Sequence, residues 1–336
     1  MKKTLIALAA LAATSASFAQ STVTLSGTLD VGIEKRFSGD ATRMTSNRNG
    51  TSNWTLSGAE DLGGGLKAVF QVSTAFNVDD GTTTSANALG NNGMFVGLTG
   101  GFGTLRAGRP VNTLYGNAMF ANGTKGVSLH DSNSVLSNLV ANAGNSVYVS
   151  NAVQYHSPRF AGFQVQVEYA PSEFSGADAG TGLAVRYDGG PLSASITNYT
   201  GAGTAAVVGP PAVAANLSPK SVTQLAAAYD FSVAKVFFTY RDQSGLASNA
   251  DTGYALGVTA PVGPGSLYAS YNVREQATSD ARTIIAGYKY LLSKRTQAYV
   301  NIARRNAAYA AGTATGGNTV PTDSSTGFGF GLQHNF

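Results

Sequence analysis

The stretch Val23-Thr-Leu-Ser-Gly-Thr-Leu-Asp-Val-Gly-Ile-Glu34 decides the fold. Its odd positions Val23, Leu25, Leu29, Val31 and Ile33 are apolar, while Thr24, Ser26, Thr28, Asp30 and Glu34 are polar. A period of two residues is a strand with one apolar face and one wet face. The alternation returns at 163–169, where Gln164, Gln166 and Glu168 separate apolar residues, and again at 183–188, 267–274 and 327–336.

Working outward, turn residues divide the chain into pairs of such runs. Short Gly-, Pro- and Asp-containing breaks fall at 61–65, 100–103, 157–162, 188–191, 230–234, 261–265 and 292–295. Each is short enough for a hairpin. Longer polar segments alternate with them at 37–52, 78–92, 111–144, 173–180, 202–221, 244–250, 276–280 and 306–324. Seven short and eight long connections make fifteen, and fifteen connections join sixteen strands. An even strand number with short turns at one end and long loops at the other marks an outer-membrane barrel. The competing fold, a soluble β-sandwich, has no need of that asymmetry and carries more surface charge. Aromatics such as Tyr187, Tyr229, Tyr240, Tyr254, Tyr288 and Tyr290 lie near strand ends on the apolar parity, where girdle residues are needed. The fold class expected is all-β: a sixteen-stranded antiparallel transmembrane β-barrel.

Composition agrees. Only 12% of the 336 residues are charged, 41 are Gly, 16 are Phe and 15 are Tyr. Mean hydropathy is −0.02. Disordered chains are rich in charge and poor in aromatics. Helical membrane proteins need apolar runs of about 18 residues or more, and nothing after residue 20 approaches one. Lys2 and Lys3, an apolar run over 4–13, and small residues at Ser17 and Ala19 read as a signal peptide, 1–19, cleaved after Ala19. Residues 20–336 then form one barrel domain. Removing Lys2 and Lys3 lowers the formal charge from +4 to +2. No basic cluster points to nucleic acid.

Enzyme readings find little support. There is no cysteine for a thiolate nucleophile, metal site or Fe–S cluster. The histidines His130, His156 and His334 have no metal-ligand spacing, and His130 beside Asp131 reads as a solvated loop pair. No metal and no cofactor are expected, and an outer-membrane hydrolase ranks far below a channel.

The connection at 111–144 is the longest, and long loops in compact domains are usually functional. Its apolar residues, among them Ala118, Met119, Phe120, Leu136 and Leu139, suit packing against a wall. Its only charges are Lys125 and Asp131. On strand parity the inward charges are the acids Asp30, Glu34 and Glu168 and the bases Arg36, Lys67, Arg106, Arg186, Lys235, Arg241, Arg274 and Lys289, eight bases against three acids. Arg109 lies on the apolar parity of its strand, and a bulge at Gly108 would turn it inward.

In order along the chain, Ser21-Thr-Val-Thr-Leu-Ser-Gly-Thr-Leu-Asp30, Gly58-Ala-Glu-Asp-Leu-Gly-Gly-Gly-Leu-Lys-Ala-Val-Phe-Gln71, Gly103-Thr-Leu-Arg-Ala-Gly-Arg109, Asn151-Ala-Val-Gln-Tyr-His-Ser-Pro158, Leu292-Ser-Lys-Arg-Thr296 and Gly331-Leu-Gln-His-Asn-Phe336 resemble the general porins of β-proteobacteria. The resemblance spans the mature chain. It implies a homotrimeric barrel in outer-membrane lipid whose third long loop folds into the lumen and narrows it. It also implies that the terminal Phe336 is read by the barrel-assembly machinery. Two positions depart from the pattern: Asn53 stands where Arg is common in anion-selective relatives, and Ser73 stands where an acid is often found. The pore-lining set expected is Asn53, Ser73, Arg106, Arg109, Lys125, Asp131, Glu168 and Arg241. The function expected is passive diffusion of small hydrophilic solutes and inorganic ions with a mild anion preference. A solute-specific channel is the alternative.

Overall fold

A computed structural model describes residues 22–35, 41–85, 89–121, 147–172, 178–201, 221–244, 251–275, 280–306 and 324–336. The strands are β1 (Thr22–Lys35), β2 (Arg43–Ser46), β3 (Asn53–Gly63), β4 (Leu66–Ala75), β5 (Met94–Gly100), β6 (Gly103–Arg109), β7 (Ala152–His156), β8 (Phe163–Ala170), β9 (Gly180–Gly189), β10 (Leu192–Thr200), β11 (Ser221–Asp230), β12 (Lys235–Ser244), β13 (Asp251–Val262), β14 (Gly265–Arg274), β15 (Ala281–Leu291), β16 (Thr296–Arg305) and β17 (Ser325–Asn335). One helix, α1 (Thr113–Ala121), follows β6.

Every strand pair is antiparallel, and β1 pairs with β17 from Thr28↔Asn335 to Lys35↔Phe328, which closes the barrel. Closure leaves no edge, so backbone groups in hydrocarbon are paired. Seventeen segments occupy sixteen places, because β2 and β3 both pair with β1: β2 along Val31–Glu34, β3 along Thr22–Thr28. The break between them lies at 47–52, where Asn47 takes a positive φ of 65°. The sequence pattern predicts a plain loop over 37–52. A four-residue strand is too short for alternation to reveal.

All seven short turns fall where the sequence places them, between strand ends. The wall is uneven: β5, β6 and β7 have 7, 7 and 5 residues, against 14 in β1. The apolar parity faces outward and is exposed over much of the wall, as at Val96, Leu183, Ile196, Leu256, Ile302 and Phe330. The polar parity is buried at Gln154, Thr197, Gln224, Asn272 and Asn301. An apolar exterior over a polar interior is what lipid outside and water inside require. Inside the barrel, Gly257 leaves space for the Phe237 ring, since a Cβ there would collide with that ring.

The helix lies in the segment the sequence reading treats as structureless. Its sequence, Thr-Leu-Tyr-Gly-Asn-Ala-Met-Phe-Ala, has no amphipathic period and carries Gly116, a poor helix former. Its position comes from what it packs against.

Candidate pore lining

The polar parity holds three groups of side chains. The first seats α1. Asn112 caps the helix, its Oδ1 accepting the Tyr115 amide at 2.6 Å. Glu168 of β8, only 2% exposed, accepts the Thr113 amide at 2.8 Å and the Thr113 hydroxyl at 2.9 Å. A carboxylate at a helix N-terminus meets both unpaired N–H groups and the positive end of the dipole. Further along, Asn117 donates to Gln166 at 2.9 Å, and Gln224 of β11 donates to the Leu114 carbonyl at 3.1 Å. Leu114 is 1% exposed and packs with Tyr199, Val222 and Ala255. Beneath this side chain the inner parity is apolar. Arg241 of β12, 2% exposed, donates to Gln224 at 2.5 Å and 3.1 Å.

A chain of contacts leads from the same carboxylate to Arg106. Gln154 donates to Glu168 at 2.5 Å, and Arg106 Nε donates to Gln154 Oε1 at 2.8 Å. The Arg106 guanidinium lies 5.1 Å from the Phe95 ring centre, and its Nη2 lies 3.4 Å from His156 Nε2.

The second group joins the two positions where the sequence departs from the porin pattern. Thr55 donates to Asn53 Oδ1 at 3.0 Å and lies 2.7 Å from the Ser73 hydroxyl. Asn92 donates to Ser73 at 2.8 Å, and the Tyr148 hydroxyl donates to Asn92 at 2.5 Å. Over the Tyr148 ring, 5.0 Å from its centre, sits the Arg109 guanidinium, which also donates to the Asn91 carbonyl at 2.7 Å. Burial pushes the Tyr148 phenol up, with the Arg109 charge opposing, so it stays protonated and donates. The ladder between β5 and β6 runs to Met94↔Arg109 without an inserted residue. No bulge turns Arg109. Gly108 takes a positive φ of 137° just before it.

The third group surrounds Asp30 and Glu34, both fully buried. Asp30 accepts the amides of Arg48 and Asn49 at 3.0 Å and 2.8 Å and the Tyr299 hydroxyl at 2.9 Å. Asn49 donates to Gln333 at 2.8 Å. Glu34 takes Arg43 at 2.8 Å and Arg48 at 2.9 Å. The turn at 47–52 is thereby tied to β1, β16 and β17.

The structure thus joins Asn53, Ser73 and Arg109 in one network and Arg106 and Glu168 in another, while Arg241 braces α1 through Gln224. Lys125, Asp131 and Arg36 lie outside the described residues. Gln154 was within reach of parity. Asn92, Tyr148, Arg43 and Arg48 were not, because they sit outside the alternating runs. Phe336 exchanges backbone hydrogen bonds with Gly27 at 3.0 Å and 3.1 Å, and its ring covers that glycine. Among the described residues no group of His, Asp and Glu could hold a metal.

A closed sixteen-place barrel, apolar outside and polar inside, defines an outer-membrane β-barrel. The Gram-negative porin family model matches residues 5–308, and the chain belongs to that family. It is 33% identical to outer membrane porin protein 32 of Delftia acidovorans, over the full length of both chains. It is 32% identical to the major outer membrane protein P.IB of Neisseria lactamica, again over both full lengths. Its fold matches the anion-selective porin from Comamonas acidovorans with a TM-score of 0.72 at 27% identity, covering 94% of this chain and 100% of that one. The trimer form of OmpT from Vibrio cholerae matches in fold alone, at 16% identity and a TM-score of 0.66 over 94% and 99% of the two chains. The protein is an outer-membrane porin.

Proposed function

We propose that the barrel is a water-filled channel for passive diffusion of small hydrophilic solutes and inorganic ions, with a mild preference for anions. The observation that carries this reading is the seating of α1 on the polar parity of β8 to β12 by Glu168, Gln166 and Gln224. In this reading α1, which opens the connection at 111–144, narrows the lumen. Solute then passes between α1 and the neutral network of Asn53, Thr55, Ser73, Asn92 and Tyr148, with Arg109 at its end. Among the described residues the fixed charge on that network is the Arg109 guanidinium. The excess of inward bases and the anion-selective relative argue for anions, and the neutral network argues that the preference is small.

The reading includes removal of 1–19 on export, a homotrimer, assembly through Phe336 and no catalytic role. A trimeric fold relative supports the second, and the family match and relatives named as porins support the last. Reversal potentials of purified protein in a planar bilayer under a salt gradient test the channel. A small potential of anionic sign is expected, and a clear cationic sign overturns the selectivity. Unheated detergent gels should show a species near three times the monomer mass. Deleting Phe336 should impair assembly, and normal insertion of the deleted chain would refute that role.

A further inference from the structure

Two of the inward bases support α1 by the same device. Each is an arginine paired directly across the strand ladder with a glutamine: Arg106 of β6 with Gln154 of β7, and Arg241 of β12 with Gln224 of β11. In each pair the guanidinium donates to the glutamine Oε1, from Nε in Arg106 and from Nε and Nη2 in Arg241. The glutamine Nε2 is thereby left to point at the helix segment. Gln154 donates to the Val111 carbonyl at 2.7 Å, just before α1, and to Glu168. Gln224 donates to the Leu114 carbonyl within α1 at 3.1 Å. The segment is gripped from two sides, by β6 and β7 on one and by β11 and β12 on the other.

The arginines decide which way the amides face. A glutamine side chain carries an acceptor at one atom and donors at the other, and half a turn exchanges them. A flipped amide would set an oxygen against the helix carbonyl. Gln154 and Gln224 are 1% and 0% exposed, so bulk water would not repair that mismatch. An arginine has donors only, and its charge-assisted bond to Oε1 holds the amide in the one useful orientation. Both guanidiniums are themselves fixed by the wall. Arg241 is 2% exposed, and Arg106 stacks on Phe95 with Nη2 toward His156.

We propose that Arg106 and Arg241 are positioning residues for α1: each locks the amide of its glutamine, and neither sets the ion preference by touching solute. The anion preference then falls to the remaining inward bases. The effect on conduction rests on the reading that α1 narrows the lumen.

The test joins single-channel recording of the full-length barrel in planar bilayers with amide exchange in detergent. Gln224→Glu is the sharpest variant. It turns the Arg241 contact into an ion pair but replaces the donor to Leu114 with an acceptor. Exchange of the Gly116 amide, which donates to the Asn112 carbonyl, should quicken several-fold, and conductance should become larger and noisier. Arg106→Lys and Arg106→Gln should both quicken exchange at Thr113 and raise the noise, because lysine keeps the charge but lacks the fork. Their reversal potentials in a salt gradient should agree. The Asn49 amide, held by Asp30, should keep its wild-type rate in every variant, which separates loss of the brace from loss of the fold. Arg241→Lys should match Gln224→Glu, and if it does not assemble, Gln224→Glu and the Arg106 pair decide. Wild-type exchange at Gly116 in Gln224→Glu overturns the proposal. So does a reversal potential that follows charge, kept in Arg106→Lys and shifted toward cations in Arg106→Gln. Quickened exchange with wild-type conductance supports the brace and overturns instead the reading that α1 narrows the lumen.

Discussion

Two segments are fastened to the polar parity about half-way round the barrel from each other: α1, over β8 to β12, and the turn at 47–52, against β1, β16 and β17. Both use one buried carboxylate that receives backbone N–H groups, Glu168 in the first and Asp30 in the second. They differ in everything else. Leu114 keys α1 into an apolar pocket, whereas the 47–52 turn is held by polar contacts and by the ion pairs of Glu34 with Arg43 and Arg48. The contrast shows two ways of fixing irregular backbone in a polar interior. Where the chain offers an apolar side chain, the wall turns apolar beneath it. Where it does not, a carboxylate must gather several donors, and its loss has nothing to compensate it.

That difference can be tested at four residues. Asp30→Ala strips the acceptor from two amides and from Tyr299, so we expect the largest effect, a loss of about 3 kcal/mol or more. It should be read as a shifted urea midpoint with faster exchange of the Arg48 and Asn49 amides. If the Thr113 amide also loses protection, the two segments are not independent. Leu114→Ala removes a buried key and should cost about 2–3 kcal/mol, at the low end for such substitutions because the segment can shift into the gap. Exchange at Thr113 should quicken while Asn49 stays protected, and single-channel records should show a noisier, larger conductance. An unchanged record would separate α1 from the conduction path.

Glu168→Gln keeps the shape but removes the charge facing the helix N-terminus, for an expected 1–2 kcal/mol, roughly. Here exchange at Thr113 should rise less than in Leu114→Ala, and the reverse order would mean that charge rather than packing fixes the helix. Arg43→Gln should have the smallest effect. Its side chain is 41% exposed and Arg48 still holds Glu34, so we expect no more than about 0.5 kcal/mol. A urea shift of Asp30→Ala size would show instead that the ion pairs carry the turn.

Much of this was legible in the chain. Alternation at 23–34 and its recurrences gave the strands, and Gly-, Pro- and Asp-rich breaks gave the seven short turns. Parity placed Asp30, Glu34, Arg106, Glu168 and Arg241 on the inner face. It did not tell which of them face solute. Asp30, Glu34, Glu168 and Arg241 are almost wholly covered, because segments from other parts of the chain lie on them. β2 was too short to alternate, α1 has no helical period, and Asn92 and Tyr148 sit in irregular backbone where parity has no meaning.

The sequence by itself determined the barrel and which side of each strand meets lipid, because that choice is made residue by residue against two solvents and is written locally with period two. Only the tertiary structure decided which inward groups meet. Thr113 and Glu168 are 55 residues apart, Tyr148 and Asn92 are 56 apart, and Tyr299 and Asp30 are 269 apart. Those contacts depend on strand register and on the path of the returning chain, and neither leaves a periodic trace in the residues it joins.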